Sequence, residues 1–253
     1  MFFDTHAHYD AEQFDADRDQ VLSSMAEAGV DLIVNPGTDM ASSRIAQGLA
    51  ARWPFVYFGV GVHPHDSAGM TDDDLDELRR MAADPKCVAI GEIGLDYYYD
   101  QSPRDVQKLR FRQQMELAAE LKKPVIIHER EACADVLDVV TSFRHVPGVC
   151  HCFSGSWETA KIILNQGWYL SFTGVITFKN ARKVLEVVEK MPADRLMIET
   201  DSPYLSPVPV RGRRNDSRNL PYIAARAAEL RGISAAELAA LSLANGKRFF
   251  GIR

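Results

Sequence analysis

The 253-residue sequence predicts a closed (β/α)8 TIM barrel with an extra C-terminal helix, spanning residues 1–253 as one α/β domain. Three observations lead to it. Short apolar, β-branched runs alternate with longer segments of helical period, as parallel strands covered by helices do. The length suits a single α/β barrel. No glycine-rich phosphate turn follows the first apolar run, as a doubly wound open sheet would require. That run ends instead in His6-Ala7-His8.

The elements follow in order. Candidate strands lie at 2–8, 30–35, 55–62, 87–92, 124–128, 148–152, 168–172 and 195–201. In the first, strand alternation would turn Asp4, His6 and His8 to one face and Phe3, Thr5 and Ala7 to the other. Val21, Leu22, Met25 and Ala28 give 17–28 a helical spacing. A helix over 39–52 follows Thr38 or Asp39 as cap, and one over 72–83 follows Thr71. The clearest helix is 104–122, where Val106, Leu109, Met115, Leu117, Ala118 and Leu121 recur among charged and amide residues. Segments 131–142, 156–166 and 180–190 complete the alternation. Two further helices are expected over 218–231 and 234–249, the second opened by a Ser234/Glu237 capping box. The Pro- and Arg-rich stretch 202–216 reads as a long loop after the eighth strand.

Composition narrows the function classes. A hydrophobic fraction of 46% with 25% charged residues is that of a globular protein with a real core. The net charge of −6 argues against tight electrostatic wrapping of duplex nucleic acid. Cys87, Cys133, Cys150 and Cys152 form no C-x-x-C pair, and a chain of this size needs no disulfide framework. No window approaches ~18 consecutive apolar residues, and the start lacks a secretory signal pattern. A cytoplasmic monomer that does not enter the membrane is the expectation.

Active sites of such barrels lie at the C-terminal ends of the strands. Those ends carry His6 and His8, Glu92, His128, His151 and Asp201. Imidazole with carboxylate suits Zn²⁺, Mn²⁺ or Fe²⁺, and carboxylates also accept Mg²⁺. A single tetrahedral catalytic ion uses three protein ligands plus water, so six candidates suit two divalent ions sharing a carboxylate. Burying Glu92 directly after an apolar strand would be costly without a cation. In Cys150-His151-Cys152, strand alternation turns His151 away from both cysteines, which read as core.

The sequence resembles the TatD family of metal-dependent hydrolases, among the amidohydrolase-like barrels. The matching pieces are Asp4-Thr5-His6-Ala7-His8, Gly61-Val62-His63-Pro64-His65, Gly91-Glu92-Ile93-Gly94-Leu95-Asp96-Tyr97-Tyr98, Ile127-His128, and His151-Cys152-Phe153-Ser154-Gly155. Glu199-Thr200-Asp201-Ser202-Pro203-Tyr204-Leu205, Arg211-Gly212-Arg213-Arg214-Asn215 and the terminal Asn245-Gly246-Lys247-Arg248-Phe249-Phe250 continue them. Together they span nearly the whole chain in the family's order. The departures are Glu129, and Gly246 after Asn245 where Thr or Ala is usual. The resemblance implies that His6, His8 and Asp201 hold one ion, that His128 and His151 hold the other, and that Glu92 bridges them. It also implies phosphodiester hydrolysis, deoxyribonuclease activity and a 3′-to-5′ exonuclease direction on single-stranded or frayed DNA ends.

Two cations about 3.5–4 Å apart stabilise both the attacking and the leaving oxygen at phosphorus, with Asp201 placed to accept the proton of the attacking water. Glu199, on the same strand face as Asp201, either supports Asp201 or a ligand histidine, or forms a salt bridge capping the barrel layer. Of His63 and His65, Pro64 between them leaves at most one turned inward, and His63 is the candidate substrate contact. Arg213 and Arg214 are the candidate phosphate contacts in the loop after the eighth strand. Among Tyr97, Tyr98, Tyr99, Phe153 and Tyr204, one or two are expected to stack a base, Tyr97 being the candidate. The rival enzymatic reading is an amidohydrolase-type C–N or ester hydrolase, such as a deacylase acting on aminoacylated RNA. A bridging carboxylated lysine at the end of strand four or five would favour it, but Lys122 and Lys123 precede strand five. A non-catalytic metal-stabilised scaffold predicts a closed ligand shell.

Overall fold

The apolar runs become parallel strands that line up in chain order. The computed structural model describes residues 1–253. The strands are β1 (Phe2–Asp4), β2 (Val30–Pro36), β3 (Val56–Val60), β4 (Cys87–Asp96), β5 (Val125–Arg130), β6 (Gly148–Cys150), β7 (Tyr169–Phe172) and β8 (Leu196–Ile198). The helices are α1 (Arg18–Ser23), α2 (Met40–Arg52), α3 (Asp72–Met81), α4 (Arg104–Leu121) and α5 (Cys133–Ser142). They continue with α6 (Trp157–Leu164), α7 (Arg182–Lys190), α8 (Leu220–Arg231) and α9 (Ala235–Phe250). One sheet runs from β1 to β8 in order, giving the (β/α)8 barrel topology with α9 as the extra helix. No helix is long and apolar enough to cross a membrane.

Within this topology the chain divides into two units. One comprises residues 1–35, 152–165 and 169–253, and the other residues 36–151 and 166–168.

The first unit holds β7, β8, β1 and β2. As expected for barrel topology, the last strand runs beside the first: Ala7 and Ser202 form a parallel bridge. Around it the Asp201 N–H donates to the His6 carbonyl at 2.9 Å, and the His8 N–H to the Ser202 carbonyl at 2.7 Å. The regular ladders are shorter than predicted, because β1 stops at Asp4 and β8 at Ile198. Asp201 takes a left-handed φ of 54°, which no continuing strand permits. The helix predicted over 17–28 likewise shrinks to α1, although Val21, Leu22 and Met25 are buried as its pattern demands. The Ser234/Glu237 capping box opens α9. That helix then closes over β1: a Cβ at Gly246 would come within 2.7 Å of the Phe3 ring and 3.2 Å of Thr5 Cγ2. The departure from Thr or Ala at this position therefore has a packing cause.

The second unit holds β3 to β6 with α2 to α5. Asp39 caps α2 through the Ser42 N–H, and Thr71 forms a capping box with Asp74 on α3. All ten residues of β4 are buried. Gly94 pairs with His128 of β5 at φ 147°, and a Cβ there would sit 2.0 Å from the His128 carbonyl oxygen. Only glycine allows this approach, which sets Glu92 and Asp96 on either side of the pairing with His128. On α4 the buried face runs through Gln107, Phe111, Gln114, Met115 and Ala118. Leu109, expected in the core, is 53% exposed. The helix turns its amides inward because they serve strand ends: Gln114 bonds both the N–H and carbonyl of Val62, and Gln107 those of Asp96.

Candidate metal centre

Each unit gathers its own group of histidines and carboxylates at the C-terminal ends of its strands. In the first unit, His6 Nε2 and His8 Nε2 lie 2.9 Å apart, and Asp201 Oδ1 lies 3.8 Å from the first and 3.6 Å from the second. Both imidazoles are buried. Strand parity alone would turn Asp4 the same way, but its carboxylate is engaged elsewhere. Oδ1 accepts the Thr200 N–H at 2.9 Å and the His6 N–H at 3.4 Å, while Oδ2 accepts the hydroxyls of Thr200 and Ser217 at 2.5 and 2.6 Å. Tyr9 OH adds a bond to Ser217 Oγ at 2.8 Å. Asp4 thus ties the residue before Asp201 to the strand that delivers His6. Burial pushes its carboxyl up to about 7, against the pull of the Ser217 and Thr200 hydrogen bonds.

In the second unit, Glu92 Oε1 lies 2.8 Å from His128 Nδ1, 2.8 Å from His151 Nε2 and 3.5 Å from His63 Nε2. His128 Nε2 faces Asp96 Oδ2 at 3.1 Å, and His65 Nε2 faces the same oxygen at 2.9 Å. In the sequence Asp96 stands out only as part of the resembling motif. The signal for it was parity: with β4 continuing to residue 96, Glu92, Gly94 and Asp96 alternate onto one face. Burial disfavours the charge of Asp96, but hydrogen bonds from His128, the Tyr99 backbone and His65 outweigh it and hold the carboxyl below its usual range. His63 is pushed down to about 3, by burial first and by the adjacent His128 second, so it stays neutral in ordinary buffers. The expectation that Pro64 leaves at most one of His63 and His65 inward is overturned. Pro64 opens a 3-10 turn capped by His63, and both rings join the cluster, 4.3 Å apart.

The remaining candidates divide. Glu199 is buried and its Oε1 accepts the Cys152 N–H at 2.6 Å, holding the residue that follows His151. Tyr97, proposed for stacking, is fastened instead: its OH donates to Asp135 Oδ2 at 2.6 Å and Arg104 covers its ring at 4.3 Å. Arg214 is held bidentately by Asp17 at 2.8 and 2.7 Å, donates to the Gln13 carbonyl, and packs over Phe14. A carboxylate thus already occupies the fork meant for phosphate. Arg213 is exposed. Cys150 is buried, as expected for core, and Cys152 is half-buried at a left-handed φ of 45°. Lys123 donates to the Cys87 carbonyl at 2.6 Å, at the start of β4, five residues before Glu92.

Both groups suit a divalent cation. Ligand nitrogens held ~2.1 Å from one ion at a right angle lie about 3 Å apart, which is the His6–His8 spacing. Two neutral imidazoles meeting nitrogen to nitrogen can otherwise satisfy each other only if one carries its proton there. In the second unit, His63, Glu92 and His128 bring ligand atoms within 4.8 Å of one another. His128 presents Nδ1 toward Glu92, while Asp96 holds its other nitrogen, the arrangement by which a carboxylate orients a ligating imidazole.

A family profile described as TatD related DNase matches residues 3–251. The chain is 44% identical to an uncharacterized metal-dependent hydrolase, YabD, of Bacillus subtilis, over 100% of both chains. It is 37% identical to a 3′-5′ ssDNA/RNA exonuclease, TatD, of Escherichia fergusonii, over 99% of each. The crystal structure of YJJV, a TatD homolog from Escherichia coli, superposes with a TM-score of 0.93 at 30% identity, covering 100% of this chain and 98% of that one.

Proposed function

Because this chain belongs to the TatD-related deoxyribonuclease family and is a metal-dependent hydrolase, we propose that it cleaves phosphodiester bonds in single-stranded nucleic acid from the 3′ end. Two divalent ions serve the reaction. His6, His8 and Asp201 would hold one, His128 and His151 would hold the other, and Glu92 would be the carboxylate common to both. The observation that carries this reading is the presence of two separate histidine–carboxylate groups at strand ends, each compact enough for a cation. The 3′-to-5′ direction is supported by the name of the E. fergusonii relative.

Bound divalent ions supply Lewis-acid stabilisation of the oxygens around phosphorus and ease deprotonation of the attacking water. The chain does the rest. Asp201 accepts the proton of that water through its carboxylate. Asp96 keeps His128 in one tautomer and ring orientation. His63, neutral because it is buried and with Nδ1 accepting the His65 N–H, donates a hydrogen bond from Nε2 to a substrate oxygen without adding charge. Arg213 takes the phosphate contact in the loop after β8 that Arg214, held by Asp17, does not offer.

The rival ester or C–N hydrolase using a carboxylated lysine is disfavoured, since Lys123 is engaged at the start of β4 and Lys122 caps the end of α4. The test uses metal-stripped protein with Mg²⁺, Mn²⁺ or Zn²⁺ restored, on 5′-labelled single-stranded DNA, RNA, duplex DNA and an ester and amide panel. Stepwise shortening of single strands from the 3′ end is expected. Turnover of esters or amides with no cleavage of nucleic acid would overturn the reading. A Michaelis constant unchanged in Arg213→Ala would remove the phosphate role of that residue.

A further inference from the structure

Beyond β4 the second unit exposes two adjacent aromatic rings. Tyr98 and Tyr99 are each 54% exposed and meet edge to face with centroids 5.0 Å apart. The Arg130 guanidinium lies 4.0 Å from the Tyr98 centroid and 4.6 Å from that of Tyr99. The pairing of β4 with β5 sets this up. Asp96 is in register with Arg130, so the last side chain of β5 reaches the turn that follows β4.

That turn is fastened to the histidine cluster. Asp96 Oδ1 accepts the N–H groups of Tyr98 and Tyr99 at 3.0 and 2.8 Å, while Oδ2 faces His65 and His128. The Tyr99 ring meets the His65 ring at 5.3 Å. One carboxylate therefore positions both a candidate ligand histidine and the aromatic turn. The backbone under the rings is fixed, yet the rings remain in solvent beside the cluster. Tyr97, one residue earlier, shows the alternative, a tyrosine whose hydroxyl is tied down by an acid.

The geometry points to a nucleobase-stacking subsite formed by Tyr98, Tyr99 and Arg130, which takes the base of the nucleotide next to the scissile phosphodiester. This inference rests on the nuclease reading above and gives it a means of holding substrate. A chain with net charge −6 gains little overall electrostatic attraction to a strand's phosphates. Stacking on aromatic rings and a guanidinium plane works without that attraction and tolerates any base sequence. It also selects single strands, because duplex bases are already stacked on one another. DNA and RNA offer the same faces.

The test compares a short single-stranded oligonucleotide with the same oligonucleotide lacking its terminal bases, using wild type, Y98A/Y99A and Y98F/Y99F. Binding of a 2-aminopurine-labelled strand to the metal-stripped proteins is followed by fluorescence quenching. Wild type is expected to favour the base-bearing substrate in KM by about tenfold. Y98A/Y99A should lose both that preference and the quenching, and Y98F/Y99F should keep both. Equal KM for the two substrates in wild type, or a preference that survives in Y98A/Y99A, overturns the subsite. If wild type cleaves neither substrate, the nuclease reading fails by itself. The quenching then still decides whether the rings stack a base: quenching lost in Y98A/Y99A upholds the stacking, and quenching unchanged overturns it.

Discussion

The two donor groups are built by different means. In the first unit, main chain sets the geometry: the His6 carbonyl receives the Asp201 N–H, the Ser202 carbonyl receives the His8 N–H, and Asp4 locks Thr200 to the strand end. In the second, side chains hold one another: four imidazoles share two carboxylates, Glu92 and Asp96. Strand register specifies the first group, and mutual hydrogen bonding specifies the second. Each should therefore fail through a different residue that is not itself a ligand, Asp4 in one and Asp96 in the other.

The largest expected effect comes from Glu92→Gln. Losing the carboxylate proposed to serve both ions should lower kcat on single-stranded DNA on the order of ten-thousandfold, the scale of several kcal/mol of charge stabilisation. Steady-state assays at saturating Mn²⁺ check it, and full activity would remove Glu92 from the bridging position. Asp201→Asn should cost about a thousandfold in kcat through loss of the proton acceptor, with part of the loss recovered at higher pH as hydroxide becomes available. Next come Asp4→Asn and Asp96→Asn, each expected to weaken metal binding by about 10- to 100-fold. Titration calorimetry should find that Asp4→Asn weakens one class of site and Asp96→Asn the other. If either variant weakens both classes alike, the contrast between register and side-chain support is wrong. Smallest is Arg214→Ala, which breaks a surface ion pair with Asp17. It should lower Tm slightly and leave KM for DNA unchanged, whereas a large rise in KM would restore the phosphate role.

The sequence exposed the eight-strand alternation and the residues at the strand ends, because apolar runs ending in His, Glu or Asp are rare enough to mark a site. It also implied that Asp201 comes beside His6, since barrel topology forces the last strand against the first. What it hid depends on which partner a side chain finds in three dimensions. Asp4 has the parity of His6 and His8, but Thr200 and Ser217 claim it. Asp96 lay beyond the apolar part of β4, so the strand's full length was not visible. Three consecutive tyrosines look alike in the chain, and the hydrogen bond to Asp135 is what separates Tyr97 from its neighbours. Arg214 read as a substrate contact because its pairing with Asp17 joins segments far apart in sequence.

The most direct measurement is the number of Mn²⁺ ions bound per chain by metal-stripped protein, read by calorimetry alongside elemental analysis. Two are expected in the wild type. One should remain in His6→Ala/His8→Ala and one in His128→Ala/His151→Ala, with cleavage of a 3′-labelled single strand lost in both. A single ion in the wild type, or two ions retained in either double variant, would contradict the two-ion centre.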